Sequence, residues 1–530
     1  MKLKQFLFSA ALLASMNAIG QSVPTHEMYV DFGITERTDI VSALDKWQPG
    51  DNFSNDPDYQ DENFFISRVP LKSRFINQNT QANKNLNEEN NKNLCWCSPI
   101  GEMTKKWGPM PRYNFDGDNF NMWQYINIHA NWSNTWFRVP GTFNDVAHKN
   151  GVRTGCLYFI DWAEQVSATS SAGKMLAELC AKDGSGNFKY ARKLIQFLKY
   201  YGIDGLGLNP EGYWSTQLNE DFSSFLAECH KVAKEMNHPF HVEWYAFVSN
   251  TGGLNDNGCK LEIGANDKWF HKNGNPVTDV FFLNYNWSES GLQTSAEAAK
   301  SLGRSTYDVY AGFDQQGRGY GKYGNAGWTA LMRQPVSIVV WGAHDRSQLY
   351  AGSTEGGNSD LSVQNEYQKK QELLFTGGSR NVLRTPDITD DAITSSYSDL
   401  AKWHGYSKAV IEESALTELP FVTRFNLGNG LSFSKDGVVT FEHKWYNLGL
   451  QDLLPTWRWW IDNGDGTTIP ADPINCDFTF DDAWFGGSCL KLHGATSKSN
   501  IRLFSTKFNV ASASDEFTIV LKTLNGTDPK

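Results

Sequence analysis

The sequence predicts an α/β protein in which a (β/α)8 barrel, the TIM-barrel fold, is followed by a C-terminal β-sandwich. Two observations carry this prediction. About eight short apolar runs recur roughly every 25 to 50 residues, with amphipathic helical patterns between several of them. Past Pro420 the pattern changes to short strands separated by glycine and asparagine turns. Apolar strands joined by crossover helices form parallel sheets, and eight such units close into a barrel.

The chain of 530 residues is long enough for more than one domain. We expect four parts: a signal peptide at 1–20, a strap and loops of the barrel domain at 21–121, the catalytic barrel at 122–412, and the sandwich at 413–530.

The apolar runs of the barrel have the composition of strands that are covered on both faces. They lie at 123–129, 152–160, 205–209, 240–247, 280–285, 309–314, 337–343 and 381–385. Helical patterns at 188–200 and 218–236 repeat their apolar residues at helical spacing. In the sandwich, strands are expected at 421–425, 437–445, 488–493 and 516–521.

The composition excludes one class of partner and suggests another. A net charge of −11 argues against nucleic acid, which requires clustered Lys and Arg. The chain contains 19 tryptophans, and aromatic residues make up 14 % of it. Most aromatic side chains are expected in the core, but their flat faces also suit the apolar faces of sugar rings.

Residues 1–20 have the composition of a secretory signal. Lys2 and Lys4 precede an apolar run at 6–16, and Ala18-Ile-Gly20 fits a small-x-small cleavage site. The run is too short to span a bilayer, and no later stretch reaches about 20 apolar residues. We therefore expect a secreted protein, periplasmic or extracellular, without a membrane anchor.

The cysteines do not form a dense disulfide framework. Cys95-Trp-Cys97 lacks a second ligand pair at zinc spacing, so neither a metal nor another cofactor is predicted. Cys476 and Cys489 are near enough in sequence to form a disulfide, whereas the other cysteines within apolar patterns are expected to be buried free thiols.

The stretch 200–214 ends a predicted strand with two polar side chains. Leu206 and Leu208 alternate with glycines, so Asn209 and Glu211 are expected to point the same way. In a (β/α)8 barrel the active site lies at the C-terminal ends of the strands. The pair is therefore predicted to be catalytic.

Polar and aromatic residues end several other predicted strands in the same manner. They are Glu243 with Tyr245, Asn284 with Tyr285 and Trp287, Asp314, and His344-Asp-Arg346. We expect Asn284, Tyr285 and Asp314 to bind the substrate at this mouth.

One carboxylate with an amide two residues earlier differs from the two carboxylates of most glycosidases. The combination fits substrate-assisted hydrolysis, in which the 2-acetamido group of the sugar attacks its own anomeric carbon. Glu211 is then the acid and base with a raised pKa, and Asn209 stabilises the oxazolinium ion. Tyr245 donates a hydrogen bond to the acetamide oxygen. This hypothesis predicts retention of configuration.

These residues belong to a longer series of motifs. The series includes Trp47-Gln-Pro-Gly50, Val69-Pro-Leu71, Ala147-His-Lys-Asn-Gly151, Tyr201-Gly-Ile-Asp-Gly205, Asn209-Pro-Glu211, Trp244-Tyr245, Phe282-Leu-Asn-Tyr285, Gly312-Phe-Asp314, Gly449-Leu-Gln451 and Leu454-Pro-Thr-Trp457. In order and spacing it resembles family 85 of the glycoside hydrolases, the endo-β-N-acetylglucosaminidases.

The resemblance implies hydrolysis of the β-1,4 bond in the di-N-acetylchitobiose core of N-linked glycans on glycoproteins, which leaves one GlcNAc on asparagine. It implies the amide and acid/base roles for Asn209 and Glu211 and the assisting role for Tyr245. It also implies an aromatic contact near the subsite for Trp287, and we expect Trp244 to contact the substrate as well. We expect the enzyme to be a monomer.

Two other classes stay open. A chitinase-like hydrolase of family 18 shares the barrel and the assisted mechanism, but it carries Asp two residues before its Glu, where this chain has Asn209. A non-catalytic glycan-binding barrel is the second alternative, and the presence of both Asn209 and Glu211 argues against it.

Overall fold

The protein is described by a computed structural model over residues 40–48, 65–98, 119–131, 136, 139–254, 258–318, 327–342, 361–383, 400, 403–494, 499–510, 512 and 515–522. The signal peptide predicted at 1–20 and the polar triplet 344–346 lie outside the described residues.

Eight parallel strands close into a barrel, which confirms the predicted fold. In chain order they are β1 (Leu94–Ser98), β2 (Ile128–Asn131), β3 (Arg153–Ile160), β4 (Gly205–Pro210), β5 (His241–Tyr245), β6 (Val280–Leu283), β7 (Val309–Asp314) and β8 (Ser337–Trp341). Each strand pairs with the next, and β1 closes the ring by pairing with both β2 and β8.

Nine α-helices are described, one before the first barrel strand, one after the last and the others between strands. They are α1 (Ile40–Lys46), α2 (Gly141–Lys149), α3 (Ser171–Leu179), α4 (Ala191–Tyr201), α5 (Thr216–Glu235), α6 (Glu289–Ser301), α7 (Gln315–Arg318), α8 (Trp328–Met332) and α9 (Leu361–Thr376). The helical patterns predicted at 188–200 and 218–236 correspond to α4 and α5. No helix in the described part of the chain has the length and apolar character needed to cross a membrane.

One barrel strand was assigned to the wrong segment. The strand predicted at 381–385 is absent where the structure describes it, and Val382 there lies in a turn and donates its N–H to Trp459 O at 3.0 Å. The barrel takes β1 instead, from the segment predicted to be a strap, so it begins before residue 122. Only five residues long, β1 follows an Asn-rich and Lys-rich stretch that hides its apolar pattern.

Alternate side chains along the strands enter two separate apolar layers. The interior of the barrel holds one buried cluster, which includes Cys95, Cys97, Leu157, Tyr245, Phe282, Tyr310 and Val339. The layer between the strands and the helices holds another, which includes Leu206, Leu208, Val242, Trp244 and Phe281. The face of the strand on which a residue lies therefore decides whether it can reach the mouth.

A buried carboxylate fixes β4 against its neighbours. Asp204 Oδ2 accepts the Thr154 N–H at the start of β3 and the His148 ring Nε2 of α2, each at 2.8 Å. The other ring nitrogen of His148 lies 2.8 Å from Val69 O. Burial alone would lower the pKa of His148, but Asp204 and the Val69 carbonyl raise it above the ordinary value. Both ring nitrogens of a protonated His148 donate here.

The C-terminal part, which was predicted to be a β-sandwich, forms small antiparallel sheets of two or three strands in its described residues. Their strands are β9 (Asn429–Gly430), β10 (Phe433–Lys435), β11 (Val438–Phe441), β12 (Trp445–Tyr446), β13 (Trp460–Asp462), β14 (Asn475–Thr479), β15 (Phe485–Gly486), β16 (Cys489–His493) and β17 (Asn500–Arg502). A separate buried cluster that includes Trp459, Ile461 and Phe478 lies among them. The segments 421–425 and 516–521, predicted as strands, are irregular.

Gln451 and Glu413 are among the residues of the C-terminal part that make polar contacts with the barrel domain. Gln451 accepts the Trp123 indole N–H at 2.7 Å and donates to Phe120 O and Leu427 O, each at 3.1 Å. The Arg74 guanidinium lies 3.0 Å from the Glu413 carboxylate, and both groups are largely buried. The Gln451 contacts tie the motif Gly449-Leu-Gln451 to the segment that precedes β2.

All eight cysteines are free. Cys476 and Cys489 occupy neighbouring strands, but the register pairs Cys489 with Thr479 and Cys476 with Leu492, so the two sulfurs do not face each other. The other cysteines predicted as free thiols include Cys156, which is buried in β3 and donates to Gly205 O at 3.7 Å.

We predict that Gly205→Ala destabilises the fold. A Cβ on Gly205 would stand 2.2 Å from the buried ring of His241. Overpacking of this kind costs about 1 to 3 kcal/mol, which thermal or denaturant unfolding would detect. The matched control is Gly184→Ala, where a Cβ meets nothing within 4 Å, and its stability should stay within about 0.5 kcal/mol. Equal stability of both variants would contradict the packing of the barrel interior described above.

Candidate active site

The C-terminal end of β4 brings an amide and a carboxylate into contact. Asn209 is the last residue of β4 that faces the barrel interior, and its side chain is buried. Its Nδ2 donates to Glu211 Oε2 at 2.9 Å. This hydrogen bond leaves the Asn209 Oδ1 as the atom that can accept a hydrogen bond from a ligand.

The environment of Glu211 favours its protonated form. Burial raises its pKa above the ordinary carboxyl value, the hydrogen bond from Asn209 lowers the pKa, and the nearby Asp161 charge raises it. The net direction is upward. A half-buried carboxyl with a raised pKa at the mouth of a barrel can exchange protons with a bound molecule.

Tyr245 lies on the interior face of β5 and is buried beside the pair. Its ring packs against Phe282 at 4.9 Å between centroids and against Tyr285 at 5.9 Å. Burial raises the pKa of Tyr245, and so does the neighbouring charge of Glu211. The phenol therefore stays protonated and can donate a hydrogen bond.

Tyr285 and Asp314 lie at the same end of the barrel as Tyr245. Burial raises the pKa of Tyr285, and the neighbouring Tyr245 and Asp314 raise it further. The guanidinium of Arg318 lies 5.7 Å from the Tyr285 ring and 3.9 Å from the Asp314 carboxylate. Asn284 is buried, and its Oδ1 accepts the N–H of Asn286 at 3.3 Å, so this side chain shapes the turn after β6.

The structure corrects the two tryptophans that were expected to contact the substrate. Trp244 is fully buried in the layer outside the barrel, where its ring stacks on Trp269 at 3.8 Å. It is adjacent to Tyr245 in sequence and therefore faces away from the mouth. Trp287 is also fully buried, and its indole N–H donates to Gly312 O at 2.9 Å. Neither ring is accessible to a sugar.

An exposed tryptophan beside the pair was not predicted. Trp162 is 58 % exposed and lies just after β3. Its ring meets Phe247 edge-on at 5.3 Å, and Phe247 packs on Tyr245 at 5.2 Å. The next residue, Ala163, donates its N–H to Glu211 O at 2.8 Å. The sequence signal was available, because Trp162 follows a predicted strand just as the other candidates do.

Within the residues that the structure describes, no group of three or more His, Cys, Asp and Glu side chains is arranged to hold a metal ion.

Both the sequence and the structure of this chain are similar to those of known glycoside hydrolases. The model of glycosyl hydrolase family 85 matches residues 104–433, which is more than half of the chain. The glycoside hydrolase domain of Endo-D from Streptococcus pneumoniae R6 has a TM-score of 0.72 and 25 % identity, with 88 % of this chain and 68 % of that domain covered.

The curated relatives are longer proteins. The cytosolic endo-β-N-acetylglucosaminidase of Gallus gallus is 23 % identical over 90 % of this chain and 55 % of its own length. Those of Danio rerio and Homo sapiens are 25 % and 23 % identical over 71 % and 73 % of this chain, and 45 % of each relative is covered. The chain thus spans about half the length of the curated relatives it matches.

These relatives contradict the prediction of export. All six curated relatives are named cytosolic, so the expectation of a secreted, periplasmic or extracellular protein with a signal peptide at 1–20 is wrong. That expectation rested on the composition of one short stretch. Lysines followed by an apolar run and small residues are a compositional pattern, and the fold of the barrel neither requires nor supports it.

The match of the family model over the barrel, the Endo-D likeness and the arrangement at the end of β4 lead to one assignment: the chain belongs to glycosyl hydrolase family 85.

Proposed function

We propose that the protein is an endo-β-N-acetylglucosaminidase that hydrolyses the β-1,4 bond in the di-N-acetylchitobiose core of N-linked glycans. The observation that carries the proposal is the hydrogen bond from Asn209 to Glu211 at the strand end. The names of the relatives, which are endo-β-N-acetylglucosaminidases, support the same activity.

The first step uses the sugar's own acetamide as the nucleophile. Its carbonyl oxygen attacks the anomeric carbon while Glu211 donates a proton to the departing glycosidic oxygen, and the bond between that oxygen and the anomeric carbon breaks. Asn209 Oδ1 accepts the acetamide N–H, on which positive charge develops as the oxazolinium ion forms. Tyr245 donates its O–H to the acetamide oxygen and orients the group. A preorganised contact of this kind stabilises a transition state by about 3 kcal/mol.

The second step returns the carboxyl to its first state. Glu211, now a carboxylate, takes a proton from a water molecule whose oxygen attacks the anomeric carbon. The bond between that carbon and the acetamide oxygen breaks, and the acetamide is restored. Two inversions at one carbon give net retention of configuration.

The aromatic side chains at the mouth supply faces for the sugar rings. Trp162 is exposed in the loop that contacts Glu211, and the Tyr285 ring packs against Tyr245. We propose that Trp162, rather than the buried Trp244 and Trp287, contacts the glycan, since only an accessible ring can stack on a sugar. Tyr285 and Asp314 remain proposed substrate contacts.

Incubation with ribonuclease B tests the activity and the role of Glu211. Mass spectrometry should detect one GlcNAc left at the glycosylation site by the native enzyme. Glu211→Gln should lower turnover by at least a hundredfold, because an amide cannot donate the proton. The control Glu164→Gln changes a carboxylate in the adjacent loop and should keep native turnover. Binding of the glycoprotein without cleavage would favour a glycan-binding protein instead.

We predict that Asn209→Gln separates the two halves of the reaction. The longer side chain displaces the amide that supports oxazolinium formation, so hydrolysis of ribonuclease B glycans should fall by about a hundredfold. A synthetic glycan oxazoline already contains the ring and should still be turned over, as chromatography of the products would detect. Normal hydrolysis of the natural glycan by this variant would remove Asn209 from the proposed role.

The pH dependence of kcat/KM should report the Glu211 proton. Cleavage requires the protonated acid, so the rate should fall as pH rises through the raised pKa of Glu211. The charge of Asp161 contributes to that rise, so Asp161→Asn should move the fall in rate to lower pH. The effect should be small because Asp161 is exposed. Glu164→Gln should leave the profile unchanged, and a shift of the Asp161→Asn profile to higher pH would refute this assignment.

A further inference from the structure

A buried histidine and a buried glutamate form a pair inside the barrel that the proposed reaction does not use. The Nε2 of His241 lies 2.7 Å from Oε1 of Glu243. His241 is 0 % exposed and Glu243 is 3 % exposed. Both side chains stand on the interior face of β5, since they are two residues apart on one strand.

Three glycines, one on β3 and two on the adjacent β4, make room for this pair. A Cβ on Gly205 would lie 2.2 Å from the His241 ring. A Cβ on Gly155 or Gly207 would lie 2.4 Å or 2.6 Å from a carboxyl oxygen of Glu243. At distances this short a Cβ would force the pair to shift, so the pair packs directly on the backbone of β3 and β4.

The pair lies one layer below the candidate catalytic residues. The register of β4 and β5 places Gly205 beside His241 and Gly207 beside Glu243. Asn209 follows Gly207 by two residues, and Tyr245 follows Glu243 by two, on the same interior face. Glu243 therefore fills the space beneath both side chains.

Burial keeps the pair uncharged. It raises the pKa of Glu243 to about 8 and lowers the pKa of His241. The protonated carboxyl then donates to Nε2 of the neutral ring. The ionisable groups that act on the pair from other elements are Arg153, Asp279, Cys95, Cys97, His230 and His238. Oε2 of Glu243 and Nδ1 of His241 have no hydrogen-bond partner in the described part of the chain, a setting in which a net charge would be costly.

We propose that His241 and Glu243 are a positioning pair, which holds β4 and β5 at the separation that Asn209 and Tyr245 need to act on one acetamide group. The catalytic effect of this positioning rests on the proposed function. The pair touches neither the substrate nor the reacting atoms.

Two substitutions of matched size test the positioning. Glu243→Gln preserves the shape, and its amide can donate to Nε2 of His241, so kcat on ribonuclease B should stay within about twofold. Glu243→Leu fills the space but leaves Nε2 without a donor, and kcat should fall at least tenfold with KM within about twofold, since small displacements of reacting groups are costly. Loss of the donor leaves Nε2 of the buried ring unsatisfied and should cost about 1 to 3 kcal/mol, so kcat is compared at a temperature below the unfolding transition of each variant.

The pH dependence of the melting temperature tests the pair independently of activity. Between the unfolded value of about 4.5 and the folded value of about 8, the folded chain holds a proton on Glu243 that the unfolded chain has released. The stability from this group is complete below the lower value and is lost as pH rises through the upper one. The melting temperature of Glu243→Gln minus that of the native protein should therefore increase as pH rises. This difference should become constant above about pH 8.

The outcomes separate this proposal from the function. Native kcat in a folded Glu243→Leu variant, or equal losses in Leu and Gln variants, would overturn the positioning role. A melting-temperature difference that does not change with pH would overturn the neutral pair. If the native protein leaves ribonuclease B intact, the proposed function fails, while the melting curves still decide the state of Glu243.

Discussion

The buried carboxylate of Asp204 is the constraint on which the candidate site depends. It accepts hydrogen bonds from the Thr154 N–H of β3 and from the His148 ring of α2, so its side chain is held on the outer face of the barrel. Because side chains alternate along a strand, Gly207 and Asn209 must then face the interior. A slip of one residue would turn Asn209 into the helix layer. The direction in which the Asn209 amide points is thus fixed by contacts at the start of β4, which is the end of the strand far from the mouth.

The same alternation explains which parts of the site could be predicted. The apolar runs located seven of the eight barrel strands, and the two-residue spacing placed Asn209 and Glu211 side by side. The same spacing places Tyr245 on the interior face of β5 and its neighbour Trp244 on the outer face. The sequence therefore already argued against Trp244 as a sugar contact. Trp244 was expected to contact the substrate as an aromatic residue beside Tyr245, but the alternation of side chains along the strand places it on the opposite face.

Other features depended on contacts between distant segments, which no local pattern contains. The strand β1 is short and follows a polar stretch, so only its pairing with β2 and β8 identifies it. Val382, an apolar residue in a predicted strand, bonds to Trp459 of the C-terminal part instead. Trp287 turns outward because Gly312 O accepts its indole N–H. In each case the partner lies far away in sequence, and the spacing of apolar residues gives no information about it.

Two carboxyl groups near the end of β4 owe their raised pKa to the same cause, yet their surroundings assign them different tasks. Burial raises the pKa of both Glu211 and Glu243. Glu211 is only half-buried and bonds to Asn209, so its proton can reach a molecule at the mouth. Glu243 is sealed beneath the site with His241, so its proton can only hold the pair together. In the proposed reaction, Glu211 is therefore the proton donor to the substrate and Glu243 is a structural donor, because only Glu211 is accessible from the mouth.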